Sequence, residues 1–241
     1  MKKTALLSLS ALALGTATLP ATSYAGVTGN IGFVTDYIFR GIFQSASSAY
    51  AGADYSGDHG VYVGTWWADV NQGTETDIYA GWMGGSDNLK FKVGYTGYRY
   101  LDDFDGNYDE VNLGLYAGIF SLDVAVGQYD PSFPGSTNTP GLGTQDYTFT
   151  SVTLTPKSGP YYKVAFWSGD YKNNIISHAK SGASTPSSDY IEIGYDYKME
   201  DQGIDLTVAF TYSDDLVLAQ NSTGDYTVVF GIKKTFEPKK K

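Results

Sequence analysis

Apolar and polar residues alternate with a period of two from residue 27 to residue 236. A chain written in that period folds as β-strands rather than helices. Val27, Ile31, Phe33 and Tyr37 form one apolar face, with Thr28, Asn30 and Asp36 opposite. Val111, Leu113 and Leu115 oppose Glu110, Asn112 and Gly114. Ile204, Leu206, Val208 and Phe210 oppose Asp205, Thr207 and Ala209. Two segments are less clear. Residues 61–68 carry bulk on both faces, with Trp66 beside Trp67, and residues 147–154 show no decisive face.

The pattern predicts twelve strands, near 26–38, 47–56, 60–69, 75–84, 88–98, 108–117, 120–130, 145–155, 160–169, 188–198, 203–213 and 225–236. Each is close to the length that a tilted strand needs to cross a bilayer. The links alternate too. Those at 39–46, 99–107, 131–144, 170–187 and 214–224 are long, and those at 57–59, 85–86, 118–119, 156–159 and 200–202 are short. Only 70–74 is short on the long side. Outer-membrane barrels have this asymmetry, with long external loops and short periplasmic turns. The expected fold is therefore all-β, a transmembrane antiparallel up-and-down barrel of about twelve strands over residues 26–236. A lipocalin-like barrel or a periplasmic sandwich also alternates, but buries its apolar face. The small, glycine-rich polar face favours the membrane barrel, because polar residues crowded inside a narrow lumen must be small or paired.

Residues 1–25 read as a secretory signal. Lys2 and Lys3 are basic, an apolar run follows from Ala5 to Leu14, and Ser23-Tyr24-Ala25 offers a cleavage site. Residues 237–241 read as a short basic tail. No later run is apolar and long enough for a spanning helix, so a membrane crossing would fall to a closed sheet, which leaves no backbone group unpaired in lipid.

Composition excludes several classes. The chain has 16 basic and 26 acidic residues; without Lys2 and Lys3 the balance is 14 against 26, a formal charge of −12. Phosphate backbones demand the opposite sign, so nucleic acid is not an expected partner. There is no cysteine, hence no disulfide framework or thiolate metal site. His59 and His178 are far apart and no Gly-x-Ser-x-Gly elbow occurs, which leaves a lipid hydrolase without a plausible general base. No cofactor is implied.

The alternation also names an expected lumen. Its inward charges are Asp36, Arg40, Asp54, Glu75, Asp77, Lys90, Lys92, Glu110, Asp123, Lys163, Glu192, Asp196, Lys198, Asp205 and Lys233, nine acidic and six basic. Tyr62, Trp66, Tyr79 and Tyr116 are expected to point inward with them. Tyr37, Trp67, Trp82, Tyr95, Tyr162, Tyr195, Tyr212 and Phe236 are expected outside, in the aromatic girdles of a membrane barrel. Asp103, Asp105, Asn107 and Asp109 place alternate oxygens around a glycine and form a weak calcium candidate whose spacing is not that of an EF-hand. A solvated acidic loop is the alternative reading.

The segment Val34-Thr35-Asp36-Tyr37-Ile38-Phe39-Arg40-Gly41, with Gln44-Ser45 after it, resembles the opening of the TorF-type porins, a proteobacterial family of exported proteins. Tyr62-Val63-Gly64-Thr65-Trp66, Asp77-Ile78-Tyr79-Ala80-Gly81 and the stretch from Gly94-Tyr95 to Tyr100 match in the same order. The resemblance covers mainly residues 27–130 and implies an outer-membrane pore. The last strand, ending at Phe236, resembles the terminal strand read by the barrel-insertion machinery, although Glu237-Pro238 and three lysines follow it.

Together these readings lead us to expect an outer-membrane channel for small hydrophilic solutes, in contact with lipid and lipopolysaccharide. A twelve-stranded barrel is intermediate between filled and open ones, so a narrow path is expected, with a mild preference for cations. The alternative is a non-conducting barrel that acts through its external loops.

Overall fold

The computed structural model describes residues 26–102, 104–131, 143–170, 189–213 and 226–237. The expected signal, His178 and nearly all of the tail lie outside them. Twelve strands run in order: β1 Gly26–Phe39, β2 Ile42–Ser56, β3 Val61–Asp69, β4 Thr74–Gly85, β5 Lys90–Leu101, β6 Asn107–Ala117, β7 Phe120–Asp130, β8 Gln145–Leu154, β9 Tyr161–Gly169, β10 Asp189–Met199, β11 Ile204–Ser213 and β12 Tyr226–Phe236. Each pairs antiparallel with its neighbours in sequence, and β1 pairs with β12 to close the barrel.

The alternation sorts side chains between the two faces of this wall. Phe33, Leu113, Ile193 and Phe230 are 41%, 46%, 41% and 57% exposed, while Glu110 is 2% exposed. Apolar groups therefore cover the outside and charges lie within, the reverse of a water-soluble sandwich. Trp67, Trp82, Tyr95, Tyr162, Tyr195, Tyr212 and Phe236 all lie exposed on the outer surface. A charge placed on such a face should be costly in lipid. Leu113→Arg is expected to destabilise the barrel by about 2–4 kcal/mol if it lies near the bilayer midplane, measured by urea unfolding in lipid vesicles.

The inner face explains the abundance of glycine and tyrosine. Tyr147 lies across Gly127, where a Cβ would stand 2.6 Å from its ring, and Tyr79 lies across Gly64 in the same way. Strand β8, whose faces were indistinct in the sequence, is resolved by its neighbours. Tyr147, Phe149, Ser151 and Thr153 point inward, and Thr148, Thr150 and Val152 point outward. Trp66 and Trp67 divide between the lumen and the outer face.

The first hairpin departs from expectation. Residues 39–46 are not a loop. The strands continue to a two-residue turn at Arg40 and Gly41, with φ of 52° and 85°, the positive pair that a twisted tight hairpin requires. Along this hairpin both outer seams end early. β1 pairs with β12 only as far as Val34↔Gly231, and β2 pairs with β3 only from Tyr50↔Ala68. Residues 35–49 thus leave the wall as one ribbon and fold into the barrel. The bend falls where Thr35 would face Ser47, a pair missing from the ladder. Ser47 has a φ of 61°, a left-handed conformation that costs a residue with a Cβ about 1–2 kcal/mol. Because the end of the ribbon is buried on both faces from Tyr37 to Gly41, Tyr37 is completely buried rather than part of the outer girdle.

Candidate functional site

The lumen has two zones. At the end carrying the long links, aromatic side chains from the ends of many strands pack around the inserted hairpin: Tyr98, Tyr108, Tyr129, Tyr147, Phe149, Trp167 and Tyr190 are all buried there. The hairpin tip reaches across to the far wall. Tyr37 donates its hydroxyl hydrogen to the Glu75 carboxylate, at 2.9 and 3.0 Å from its two oxygens. Phe39 packs on Tyr98 with ring centroids 5.4 Å apart. The Arg40 guanidinium donates through Nη1 and Nη2 to both oxygens of Glu110 at 2.7 Å, lies 4.7 Å from the centre of the Phe149 ring, and its carbonyl accepts from Trp167 Nε1 at 3.0 Å. This buried, bidentate ion pair latches the turn between β1 and β2 to β6 across the barrel.

The other zone is polar and wetter. Lys233 pairs with Asp205 at 3.1 Å, both side chains 22% exposed, and Lys92 pairs with Asp123 at 3.3 Å. Arg40 and Glu110, by contrast, have side chains only 5% and 0% exposed. Tyr116 donates to Asp123, Thr207 to Asp196 and Tyr79 to Asp54. Lys163 is buried against Glu192 at 3.2 Å, and Tyr161 donates to the same carboxylate. Cross-strand pairs of this kind hold opposite charges in register. The lumen charges are thus more exposed toward the end with short turns, and the inserted hairpin packs into the other.

Of the residues read as lumen-facing, Asp54, Glu75, Asp77, Tyr79, Glu110, Lys163, Glu192 and Tyr62 are buried inside the barrel, and Trp66 packs there against Tyr37 and Tyr50. Asp36 is half-buried on the departing ribbon, and Lys90 is exposed as the first residue of β5. Of the calcium candidate, the structure describes Asp105, Asn107 and Asp109, and the two carboxylates have separate partners. Asp105 accepts from Tyr108, Tyr129 and the Gly106 N–H, and burial pushes its carboxyl above the usual range against those bonds. Asp109 pairs with Arg99 at 2.7 Å in an exposed ion pair. Asp103 lies outside the described residues. Among the described residues no three metal-binding side chains gather.

The aromatic zone and the latch escape a sequence reading. A hint is present in Arg40-Gly41, a two-residue turn signal inside continuing strand pattern, and in Tyr147, Phe149 and Trp167 on a face otherwise small and polar.

A closed twelve-stranded barrel with an apolar exterior and a charged lumen has the architecture of porins. By its sequence the chain belongs to a bacterial family described as a protein of unknown function (Gcw_chp), whose model matches residues 18–236. No curated protein matches it. Among solved structures it is similar to the NanC porin, with 9% identity over 88% of this chain and 100% of that one, at a TM-score of 0.56. The KdgM porin is 9% identical over 86% of this chain and 99% of that one, at a TM-score of 0.52. A barrel from a study of in-meso crystallization of membrane proteins is 9% identical over 90% and 86%, at a TM-score of 0.58. At such identities the likeness is one of fold.

Proposed function

We propose that this protein is a porin-like channel of the outer membrane, exported by its N-terminal signal, through which small hydrophilic solutes diffuse passively. The observation that carries the reading is the pair of partly exposed lumen ion pairs, Lys233–Asp205 and Lys92–Asp123, inside a wall whose exterior is apolar. Charges of both signs in a wetted path tune permeation without blocking it. The resemblance of the Val34–Gly41 segment to TorF-type porins and the porin-type fold support the same reading.

In this conformation the inserted hairpin closes the outer end. It also has a place to go. Continuing the β1–β12 register sets Thr35 opposite Phe230 and Phe39 opposite Tyr226, the first residue of β12. Phe230 N–H already donates to Thr35 Oγ1 at 3.0 Å. Swinging out would exchange the lumen contacts for wall pairing and open the path.

A KdgM porin has been solved in complex with disordered oligogalacturonate. An acidic lumen suits such a polyanion poorly, and we read neutral or cationic solutes as the better fit. The non-conducting reading draws on the tightly packed aromatic zone. Planar-bilayer recording separates the two: discrete conductance steps are expected, and an inserted, heat-modifiable barrel with no steps and no liposome swelling would leave only the structural reading. His59, the described histidine, sits exposed in a short turn, with its carbonyl accepting from Trp82 Nε1, and gives a hydrolase no support.

A further inference from the structure

We infer that the socket around Glu110 is a receptor site for a small solute bearing a guanidinium or similar planar cation, and that Arg40 is its tethered occupant. The inference rests on the channel reading for its purpose, though not for its geometry.

The socket belongs to the wall, not to the hairpin. Glu110 accepts from Tyr98 at 2.9 Å, Tyr147 at 2.8 Å and Asn112 at 2.6 Å, besides its two bonds from Arg40. Those three neutral donors sit on β5, β8 and β6. They would hold the carboxylate in place once the tip withdrew. The Phe149 and Trp167 rings, 4.7 and 5.7 Å from the guanidinium carbon, are on β8 and β9 and would remain as a cation–π surface.

The present occupant fits imperfectly. Arg40 Nε is buried without a hydrogen-bond partner among the described residues, and so is Oδ1 of Asp77. Asp77 is 2% exposed and lies within electrostatic reach of Glu75, Glu110 and Arg40. One donor and one acceptor in the same chamber are therefore unused, and a ligand free of the tether could engage what the hairpin cannot. Withdrawal of the hairpin would also remove Tyr37 from Glu75. The emptied chamber would present Glu75, Asp77 and Glu110 with no basic side chain paired to them among the described residues. Buried carboxylates left unpaired are costly, and a fork-shaped cation relieves them in two bonds at once. An anion meets three carboxyl groups and, among the described residues, no cation to pair with, and is excluded.

Agmatine, which carries a guanidinium and an ammonium group, is the probe, with galacturonate as the anionic control. Titration calorimetry on the refolded full chain in detergent is expected to give roughly tenfold tighter agmatine binding for Arg40→Gln and Arg40→Ala than for the unaltered chain, because the tether no longer competes. Arg40→Gln combined with Glu110→Gln should lose that binding, and galacturonate should give no heat. Should these variants fail to fold, Gly41→Cys retains Arg40 and provides the only thiol in the chain. Its labelling by a maleimide is expected to accelerate with agmatine and not with galacturonate. No agmatine heat from folded Arg40 variants, binding that survives loss of Glu110, or labelling indifferent to agmatine would overturn the site. Conductance recorded on the same preparations keeps the two claims apart. Agmatine heat without conductance upholds the site and overturns the passage, and conductance without agmatine heat does the reverse.

Discussion

Replacing residues 37–44 with a short glycine-serine turn is expected to raise the time-averaged conductance in planar bilayers roughly tenfold, because it removes the material that fills a barrel otherwise wide enough for a narrow path. The ribbon is the element to cut because its removal leaves the rest of the wall intact. Residues 35–49 form strand pairs only with each other, and β1 remains tied to β12 through Val34 and β2 to β3 from Tyr50 onward. The hydrogen bonds from Phe230 N–H to Thr35 Oγ1 and from Ser48 Oγ to the Asp69 carbonyl lie outside the replaced stretch, and the one from Asn71 N–H to the Gln44 carbonyl is on the main chain. Tyr98 loses Phe39 as an aromatic neighbour, and Tyr98, Tyr108 and Tyr147 keep their hydrogen bonds to the Glu110 and Asp105 carboxylates. Liposome-swelling rates for neutral sugars are expected to rise in parallel. An unchanged conductance from the correctly inserted variant would mean that the aromatic zone itself, and not the hairpin, limits flow.

Glu110→Ala is expected to lower stability by about 3–5 kcal/mol, since it strands the Arg40 charge in a buried site. The guanidinium would retain the Phe149 and Trp167 rings and a 3.5 Å contact to Tyr98, which cannot replace two charge-assisted bonds of 2.7 Å. Tyr98, Tyr147 and Asn112 would lose their common acceptor at the same time. Unfolding by urea in lipid vesicles measures the loss. Adding Arg40→Ala should recover part of it, because the stranded charge is then gone, and the remainder reports the wall's own network. A Glu110→Ala barrel as stable as the unaltered one would contradict a desolvated latch.

Much of this fold was legible in the alternation of residues such as Glu110, Val111, Asn112 and Leu113, because a strand's period sorts side chains between two faces irrespective of what each face meets. Link lengths then set the topology. The period reports which residues share a face, and it does not report when a strand leaves the wall. Tyr37 continues the odd-numbered apolar series of Val27, Ile31 and Phe33, yet it lies inside because the ladder to β12 ends at Val34. In β8 large rings lie on the inner face and threonines on the outer one, so the usual contrast vanished. The pairing of Arg40 with Glu110 spans 70 positions and leaves no local trace. The lumen charges were therefore recognisable individually, whereas the latch that joins two of them depended on a tertiary bend at Thr35 and Ser47.

A lock tests whether the hairpin closes the barrel. A Cβ at Gly41 would stand 3.1 Å from Cβ of Tyr190, so an outward shift of a few tenths of an ångström brings the pair to the roughly 3.5 Å that a disulfide spans, and the chain has no other cysteine to interfere. The Gly41→Cys/Tyr190→Cys protein, recorded in planar bilayers before and after reduction, should be silent when oxidised and show conductance steps once the bond is broken. Steps of equal size and frequency from the oxidised, cross-linked protein would contradict a lumen closed by its own first hairpin.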